Sequence, residues 1–357
     1  MPSKSTPAAR VMAALRRENA GPPPFAVYEV FAPQSTGERI LRERGMCVVK
    51  RVRSYYVTYD GADIQSCQYR DSKGTRLIRT RIETPEGSLS LLQQPAFNTS
   101  WTHEHLFKSP RDYKPLLYLL EHARVHERHG YVQSVIDSLG GDFLVRDNLP
   151  LEPMQQFISG VAMSVTDFAY EWHDNRDLLL ELYRAAARVN EQCCEVVARS
   201  PAQTVNYGGN VIPELIGPQV FQEYYLPHYQ SACERLQAAG KLVGCHFDGN
   251  NAPIMALIGQ TPLDYVEAYD PGISPGVGEA LRHFAGKALW LNWPSPWHVH
   301  TTEQMVGDTV GLLKEAGGYP GLVVGVTEDL PEQKREAAFM AIMDGISEYD
   351  RQCGKRG

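Results

Sequence analysis

The sequence predicts an α/β protein, a (β/α)8 TIM barrel with an N-terminal β-meander extension. Seven short apolar runs, six of them ending in Asn, Asp or Pro, alternate with helical periodicities along the chain. Strands that alternate with helices indicate βαβ units and a parallel sheet. No GxGxxG loop opens a helix, so this number of units favours a closed barrel over a doubly wound sheet.

The predicted strands share a short apolar centre and a polar end, and they span 24–31, 143–148, 204–210, 241–250, 265–271, 288–294 and 321–329. The helical periodicity predicts helices over 111–129, 152–171, 176–199, 218–239, 251–260, 277–286, 302–317 and 332–350. The remaining strand is the least distinct, and we place it near 131–137.

We interpret residues 1–357 as a single barrel domain, because barrels of this length commonly fold as one unit. Residues 1–24 form a polar, proline-rich lead-in with a short amphipathic helix. Residues 45–95 alternate apolar and polar positions and contain the turns 71–74 and 84–87, which predicts a β-meander insertion.

The composition narrows the class of protein. A net charge of −7 and a pI near 5.9 argue against a nucleic-acid binder, which would present a basic face. No stretch approaches the roughly 18 apolar residues of a membrane helix, and the N-terminus has no apolar core of a signal peptide. Seven cysteines without CxxC spacing suit reduced thiols, so we expect a cytoplasmic enzyme without membrane contact.

Polar side chains follow several of the predicted strands. His246 and Asp248 end one apolar run, and Glu267, Asn292 and Glu328 end three later ones. Active sites of such barrels lie at the carboxyl ends of the strands. We therefore expect these side chains to meet at one mouth of the barrel.

Converging carboxylates beside an imidazole repel one another unless a positive charge lies between them. The sequence thus predicts a metal site of His246, Asp248, Glu328 and Glu267, with His246, Glu328 and Glu267 as catalytic groups. Histidine with carboxylates can hold zinc and leave a position open for substrate. Other readings remain: hydrogen bonding by His246, helix capping by Asp248, and arginine pairing by either glutamate.

Aromatic and amide side chains near the strand ends suit a flat organic small-molecule substrate. We predict that substrate is bound by Tyr28, Tyr207, Asn210, Asn292 and Trp293.

Three segments resemble the uroporphyrinogen decarboxylase superfamily. Residues 208–250 are similar to its central signature, in which a P-x-x-F-x-E-x-x-x-P helix leads to a strand ending in histidine. HLFKSPRDYKPLLYLL (105–120) and VGVTEDLPEQK (324–334) resemble two further parts of it. The similarity covers about residues 80–350 and implies a (β/α)8 barrel and a homodimer.

The superfamily has two main branches. True decarboxylases carry an R-Q-A-G-R element, which the matching segment 24–40 lacks. Zinc-dependent methyltransferases that act with a corrinoid protein carry H-x-C on the fifth strand and another cysteine on the eighth. Here His246 matches, Asp248 replaces the first cysteine, and the second position falls near 327–328. The chain is closest in character to this second branch.

The resemblance and the residues together predict a metal-assisted methyltransferase. It would move a methyl group from a small methoxylated or other methyl-donor compound to a corrinoid carried by a separate partner protein, with zinc as cofactor. The first alternative is a decarboxylase, a lyase of a small or tetrapyrrole-like carboxylic acid, which would need a cationic pocket. The second is a non-catalytic accessory subunit.

Overall fold

A computed structural model describes residues 5–97, 99–159, 161–328 and 330–354. The chain divides into two compact units. The barrel unit comprises Met1–Arg53, His129–Asn148 and Ser200–Gly357, and the insert unit comprises Ser54–Arg128 and Leu149–Arg199. That residues 1–357 act as a single domain stays a prediction, since two compact units can still unfold together.

The barrel unit contains a closed ring of eight parallel strands in which each strand pairs with its neighbours in chain order. This confirms the predicted (β/α)8 fold. The strands are β1 (Phe25–Tyr28), β2 (Cys47–Val52), β3 (Phe143–Asn148), β4 (Thr204–Tyr207), β5 (Leu242–His246), β6 (Tyr265–Tyr269), β7 (Ala288–Asn292) and β8 (Leu322–Val326).

The strand that the sequence left indistinct is β2. Both the assignment of its residues to the meander and the strand predicted near 131–137 are wrong. Cys47–Val52 lies between β1 and β3 in the barrel, although it was predicted to begin the meander. The segment 131–137 belongs to a helix, His129–Ser138. Its apolar Val132, Val135 and Ile136 recur at helical spacing and pack on the barrel. The hydrophobic pattern of this segment therefore has the 3.6-residue period of a helix instead of the two-residue period of a strand.

The helices of the barrel unit surround the strands. They are α1 (Pro7–Leu15), α2 (Thr36–Glu43), α3 (His129–Ser138), α4 (Pro213–Tyr224), α5 (Leu226–Ala238), α6 (Met255–Gln260), α7 (Val277–His283), α8 (Thr302–Glu315) and α9 (Glu332–Gly354). The predicted helix 218–239 is therefore two helices, and Pro227 lies in the first turn of the second, where a proline is tolerated. No helix in the described part of the chain is long and apolar enough to cross a membrane.

The insert unit contains the predicted meander extension. Its antiparallel strands are Asp63–Arg70, Arg76–Thr84, Gly87–Pro95 and Ser100–Glu104. A second antiparallel pair joins Tyr55–Tyr59 to Ala123–Glu127, so the helix predicted over 111–129 ends at Glu121. The helices of the unit are Tyr113–Glu121, Gln155–Ile158, Val165–Asp174 and Arg176–Ala198.

Two large aromatic rings fill the barrel interior below the mouth. Tyr265 and Trp290 are fully buried, and glycines on the adjacent strands make room for them. A Cβ on Gly244 would lie 2.0 Å from the Tyr265 ring, and one on Gly325 would lie 2.3 Å from the indole nitrogen of Trp290. The packing below the site therefore depends on these missing side chains.

We expect Gly244→Ala to lower the free energy of unfolding by about 1–3 kcal/mol, because the added methyl group overpacks a closed interior. Chemical denaturation measures the loss. The matched control is Gly311→Ala in α8, where an added Cβ meets nothing within 4 Å. Equal stability of the two variants would contradict the proposed packing.

Candidate functional site

The carboxyl ends of the barrel strands place a polar cluster at one mouth. The members come from six of the eight strands, including strands on different sides of the ring, and their side chains meet inside it. They are Tyr28 of β1, Arg146 of β3, Asn206 of β4, His246 of β5, Glu267 of β6 and Asn292 of β7. Asp248 and Glu328 follow β5 and β8 and complete the cluster.

Three of these residues form a group that can hold a metal ion. The Nε2 atom of His246 lies 3.7 Å from Oδ2 of Asp248 and 3.6 Å from Oε1 of Glu328. One ligand atom of each side chain lies within 4.8 Å of the others. The side chains are 15%, 26% and 42% exposed in that order, so the group opens to solvent. One nitrogen and two carboxylates with an open side fit a divalent cation that also binds substrate.

Glu267 lies behind this group instead of within it. It is fully buried and forms an ion pair with Arg146, and it accepts a hydrogen bond from the amide of Asn206. Its Oε2 lies 3.3 Å from Nδ1 of His246. The structure thus shows the arginine pairing that the sequence left open, and Glu267 contacts Nδ1 of His246 while Asp248 and Glu328 lie near Nε2. A ligand role for Glu267 stays a prediction.

The groups around His246 determine its protonation. Burial alone lowers the pKa of His246, but Tyr28 and the hydrogen bonds to Asp248, Glu267 and Glu328 outweigh it and raise the pKa well above its usual value. The surrounding carboxylates therefore require positive charge, either as the imidazolium or as a bound cation. When Nδ1 donates to Glu267, the lone pair of Nε2 points towards Asp248 and Glu328, which is the tautomer that binds a metal.

Asn292, which was predicted to bind substrate, is enclosed by protein groups. It is fully buried, and its Nδ2 donates to Oδ2 of Asp270 over 3.0 Å. Its Oδ1 accepts from the backbone N–H and the hydroxyl of Thr327 at 2.9 and 3.0 Å, and from the Glu328 N–H at 3.4 Å. All of its polar atoms are thereby used to hold the loop that carries Glu328.

Tyr207 and Trp293 are also placed differently from the prediction. Tyr207 packs edge-on against Tyr229 of α5, with ring centroids 5.5 Å apart. The indole N–H of Trp293 donates to Thr309 of α8 over 3.0 Å. Both side chains are buried in the helix layer, because neighbours along a strand point to opposite faces and Asn206 and Asn292 take the inward positions.

Two predicted substrate residues remain at the mouth. The hydroxyl of Tyr28 lies 3.3 Å from Nδ1 of His246, and burial raises the pKa of Tyr28 to about 12, so the phenol stays protonated at neutral pH. Asn210 is exposed in a left-handed conformation, and its backbone N–H donates to the His246 carbonyl over 3.2 Å. Contact of either residue with substrate stays a prediction.

Arg51 is a member of the mouth that the sequence prediction missed. Its Nε lies 3.2 Å from Glu29, and its guanidinium lies 4.3 Å from the centroid of the Tyr28 ring. The segment 47–52 was assigned to the meander, so its charged end was not considered. Correct placement of β2 would have located Arg51.

A bulge in β6 brings two carboxylates to the same side. The register of β6 shifts between Val266 and Tyr269, and Ala268 has φ +61°. The extra residue resets the alternation, so Glu267 and Asp270 both reach the barrel interior. A non-glycine residue at positive φ costs energy that the surrounding fold must offset, which is frequent at functional sites.

Comparisons with known proteins support the fold. No family model and no curated protein sequence matches the chain. A methyltransferase from Methanosarcina mazei has a similar structure, with a TM-score of 0.57 and 15% identity over 96% of this chain and 99% of that one. D-psicose 3-epimerase from Clostridium cellulolyticum H10 is more distant, at TM-score 0.35 and 10% identity over 61% and 82% of the two chains. The first likeness agrees with the barrel fold over almost the whole chain.

Proposed function

We propose that this chain is a metal-assisted methyltransferase that moves a methyl group from a small methoxylated or other methyl-donor compound to a corrinoid on a separate protein. The observation that carries the proposal is the His246, Asp248 and Glu328 group at the carboxyl ends of the barrel strands. The resemblance to the methyltransferase branch and the structural likeness to a protein named as a methyltransferase support the type of reaction.

The residues of the mouth fit zinc. His246, Asp248 and Glu328 would hold the ion, while Glu267 fixes the ring of His246 through Nδ1. Zinc bound by nitrogen and oxygen supplies a Lewis acid that stabilises the oxygen left behind when the methyl group departs. Glu328 is the most exposed of the three ligands, so a substrate that enters from solvent reaches its side of the group first.

The decarboxylase alternative has less support from the geometry. A carboxylic acid would need cationic side chains that are free to bind it. Arg146 pairs with the buried Glu267, and Arg51 pairs with Glu29. Each of these two arginines is already paired with a carboxylate of the protein, so its charge is compensated before a substrate binds. A non-catalytic role also fits poorly, because perturbed ionisable groups clustered at strand ends are typical of active sites.

Metal analysis and chelation test the proposal. We expect about one zinc per chain in protein purified without chelator, and methyl transfer to a corrinoid protein with a panel of methyl ethers. Removal of zinc should abolish transfer, and addition of zinc should restore it. Protein without metal that releases carbon dioxide from an acid would favour the lyase instead.

The partners of the chain follow from the same proposal. In this proposal the corrinoid is carried by a second protein, and the resemblance also implies a homodimer. Light scattering of the purified chain measures its oligomeric state. A methylation assay with free corrinoid and with corrinoid-loaded protein separates use of the cofactor from recognition of its carrier.

A further inference from the structure

We infer that one segment, residues 267–274, positions all three proposed metal ligands. This segment comprises the end of β6 and the loop after it, and we call it the β6 support. The inference rests on the proposed metal site and adds to it the residues that set its geometry. Glu267, Asp270 and Ser274 of the β6 support each lead to a different ligand.

The connection to His246 is direct. Oε2 of Glu267 lies 3.3 Å from Nδ1 of His246, and the buried pair with Arg146 holds the carboxylate in place. A histidine whose second nitrogen binds a carboxylate has a fixed ring orientation and greater basicity towards a metal.

The connection to Asp248 runs through Ser274 and Asn251. The Ser274 hydroxyl accepts from the Asn251 backbone N–H over 3.1 Å and donates to the Gly249 carbonyl over 3.0 Å. The Asn251 side-chain amide donates to the carbonyls of Phe247 and Gly249 at 3.0 and 2.9 Å. These carbonyls flank Asp248 on both sides, so the buried amide fixes the backbone from which that ligand projects.

The connection to Glu328 runs through Asp270 and Asn292. Asp270 accepts from the Asn292 amide, whose oxygen accepts from the backbone N–H groups of Thr327 and Glu328. A buried side-chain amide therefore sets the backbone of this ligand as well, and in both cases without touching the metal position.

The β6 support is itself held rigidly. The carbonyl of Asp270 accepts from the N–H groups of Ile273 and Ser274 at 3.2 and 2.9 Å, and Oδ1 of Asp270 accepts from the Gly272 N–H at 2.7 Å. The bulge at Ala268 determines which side chains of the β6 support face the barrel interior. A displacement of this short segment would therefore move all three ligands together, and its rigidity preorganises the site.

Double-mutant cycles on the full-length zinc protein test this inference. We expect Asn292→Ala and Asn251→Ala each to weaken zinc binding by about 10–100-fold, as loss of an outer residue does at other metal sites. Asn292→Ala should add no further loss in a Glu328→Ala background but its full loss in an Asp248→Ala background. Asn251→Ala should show the opposite pattern, which general destabilisation would not produce.

The control is Asn190→Ala, which truncates another buried amide that donates to a loop carbonyl, that of Leu151. It should leave zinc affinity within about twofold. Additive losses in every background, or unchanged affinity in both variants, would overturn the inference.

A readout without metal separates this inference from the proposed function. Asp270→Ala, within the β6 support, should accelerate hydrogen exchange of the Thr327 and Glu328 amides because Asn292 loses its partner, while Ser274→Ala should not. If the wild-type chain binds no zinc but exchange follows this pattern, the metal proposal fails and the role of the β6 support stands. Unchanged exchange in Asp270→Ala would overturn the inference whether or not metal binds.

Discussion

Replacing Arg146 with methionine is expected to lower the free energy of unfolding by about 3–5 kcal/mol, because it leaves the carboxylate of Glu267 buried without its main counter-charge. Both side chains are inaccessible to solvent, so water cannot replace the lost partner. Guanidinium denaturation measures the loss. The double variant Arg146→Met/Glu267→Gln removes both charges and should recover a large part of it. Equal stability of the single and double variants would show that the ion pair does not carry the effect.

The ion pair of Arg146 and Glu267 should make the folded chain less stable as the pH falls. Burial alone raises the pKa of Glu267, but Arg146 and the hydrogen bond from His246 outweigh it and lower the pKa to about 2. A glutamate in the unfolded chain has a pKa of about 4.3. Between this pH and the lower folded value, Glu267 is ionised in the folded chain but protonated in the unfolded chain. The stabilisation from this group is complete above the unfolded value and is lost as the pH falls towards 2. The difference in free energy of unfolding between wild type and Arg146→Met should therefore shrink as the pH falls through this range.

The sequence predicted the barrel because its strands repeat a strong local signal. Phe143–Asn148 was predicted at its observed bounds, and the other six distinct apolar runs overlap observed strands. The missed strand, Cys47–Val52, contains two adjacent charged residues and adjoins a true meander. Nothing local distinguishes it from an antiparallel strand, because only its pairing with β1 and β3 makes it part of the barrel.

The site was predictable as a location but not as an arrangement. Polar residues at strand ends identified His246, Asp248 and Glu328, which meet at the mouth. Glu267 ends a strand in the same way, yet Arg146 from a strand on another part of the ring determines its role. Residue type and strand position do not show which charges will pair across the barrel.

Alternation together with the strand register explains where two of the predicted substrate residues lie. Asn206 pairs with Gly244, which shares the face of His246, so alternation on β4 turns Asn206 inward and Tyr207 outward. On β7 it selects Asn292 and excludes Trp293. The bulge at Ala268 marks the limit of this rule, since alternation alone would turn Asp270 outward. An inserted residue of this kind depends on tertiary packing and leaves no clear local signature.

Replacing His246 with alanine is expected to reduce methyl transfer by about 10³-fold, the size of loss found when one group that stabilises a developing oxyanion is removed. His246 supplies the nitrogen ligand of the proposed metal group, and its loss leaves two carboxylates that repel each other. Glu267→Gln, which weakens the orientation of the ring and also removes the counter-charge of Arg146, should cost about 10–100-fold. Steady-state methylation of the corrinoid protein, with zinc content measured on the same samples, compares the variants.

The order of these losses separates a ligand from a residue that orients it. His173→Ala is the matched control, because this exposed histidine pairs only with the adjacent Asp174 in the described structure. It should retain full activity and zinc content. If His246→Ala kept zinc and transferred methyl groups within tenfold of wild type, the imidazole could not be a ligand. The carboxylates of Asp248 and Glu328 would then have to act on substrate without it.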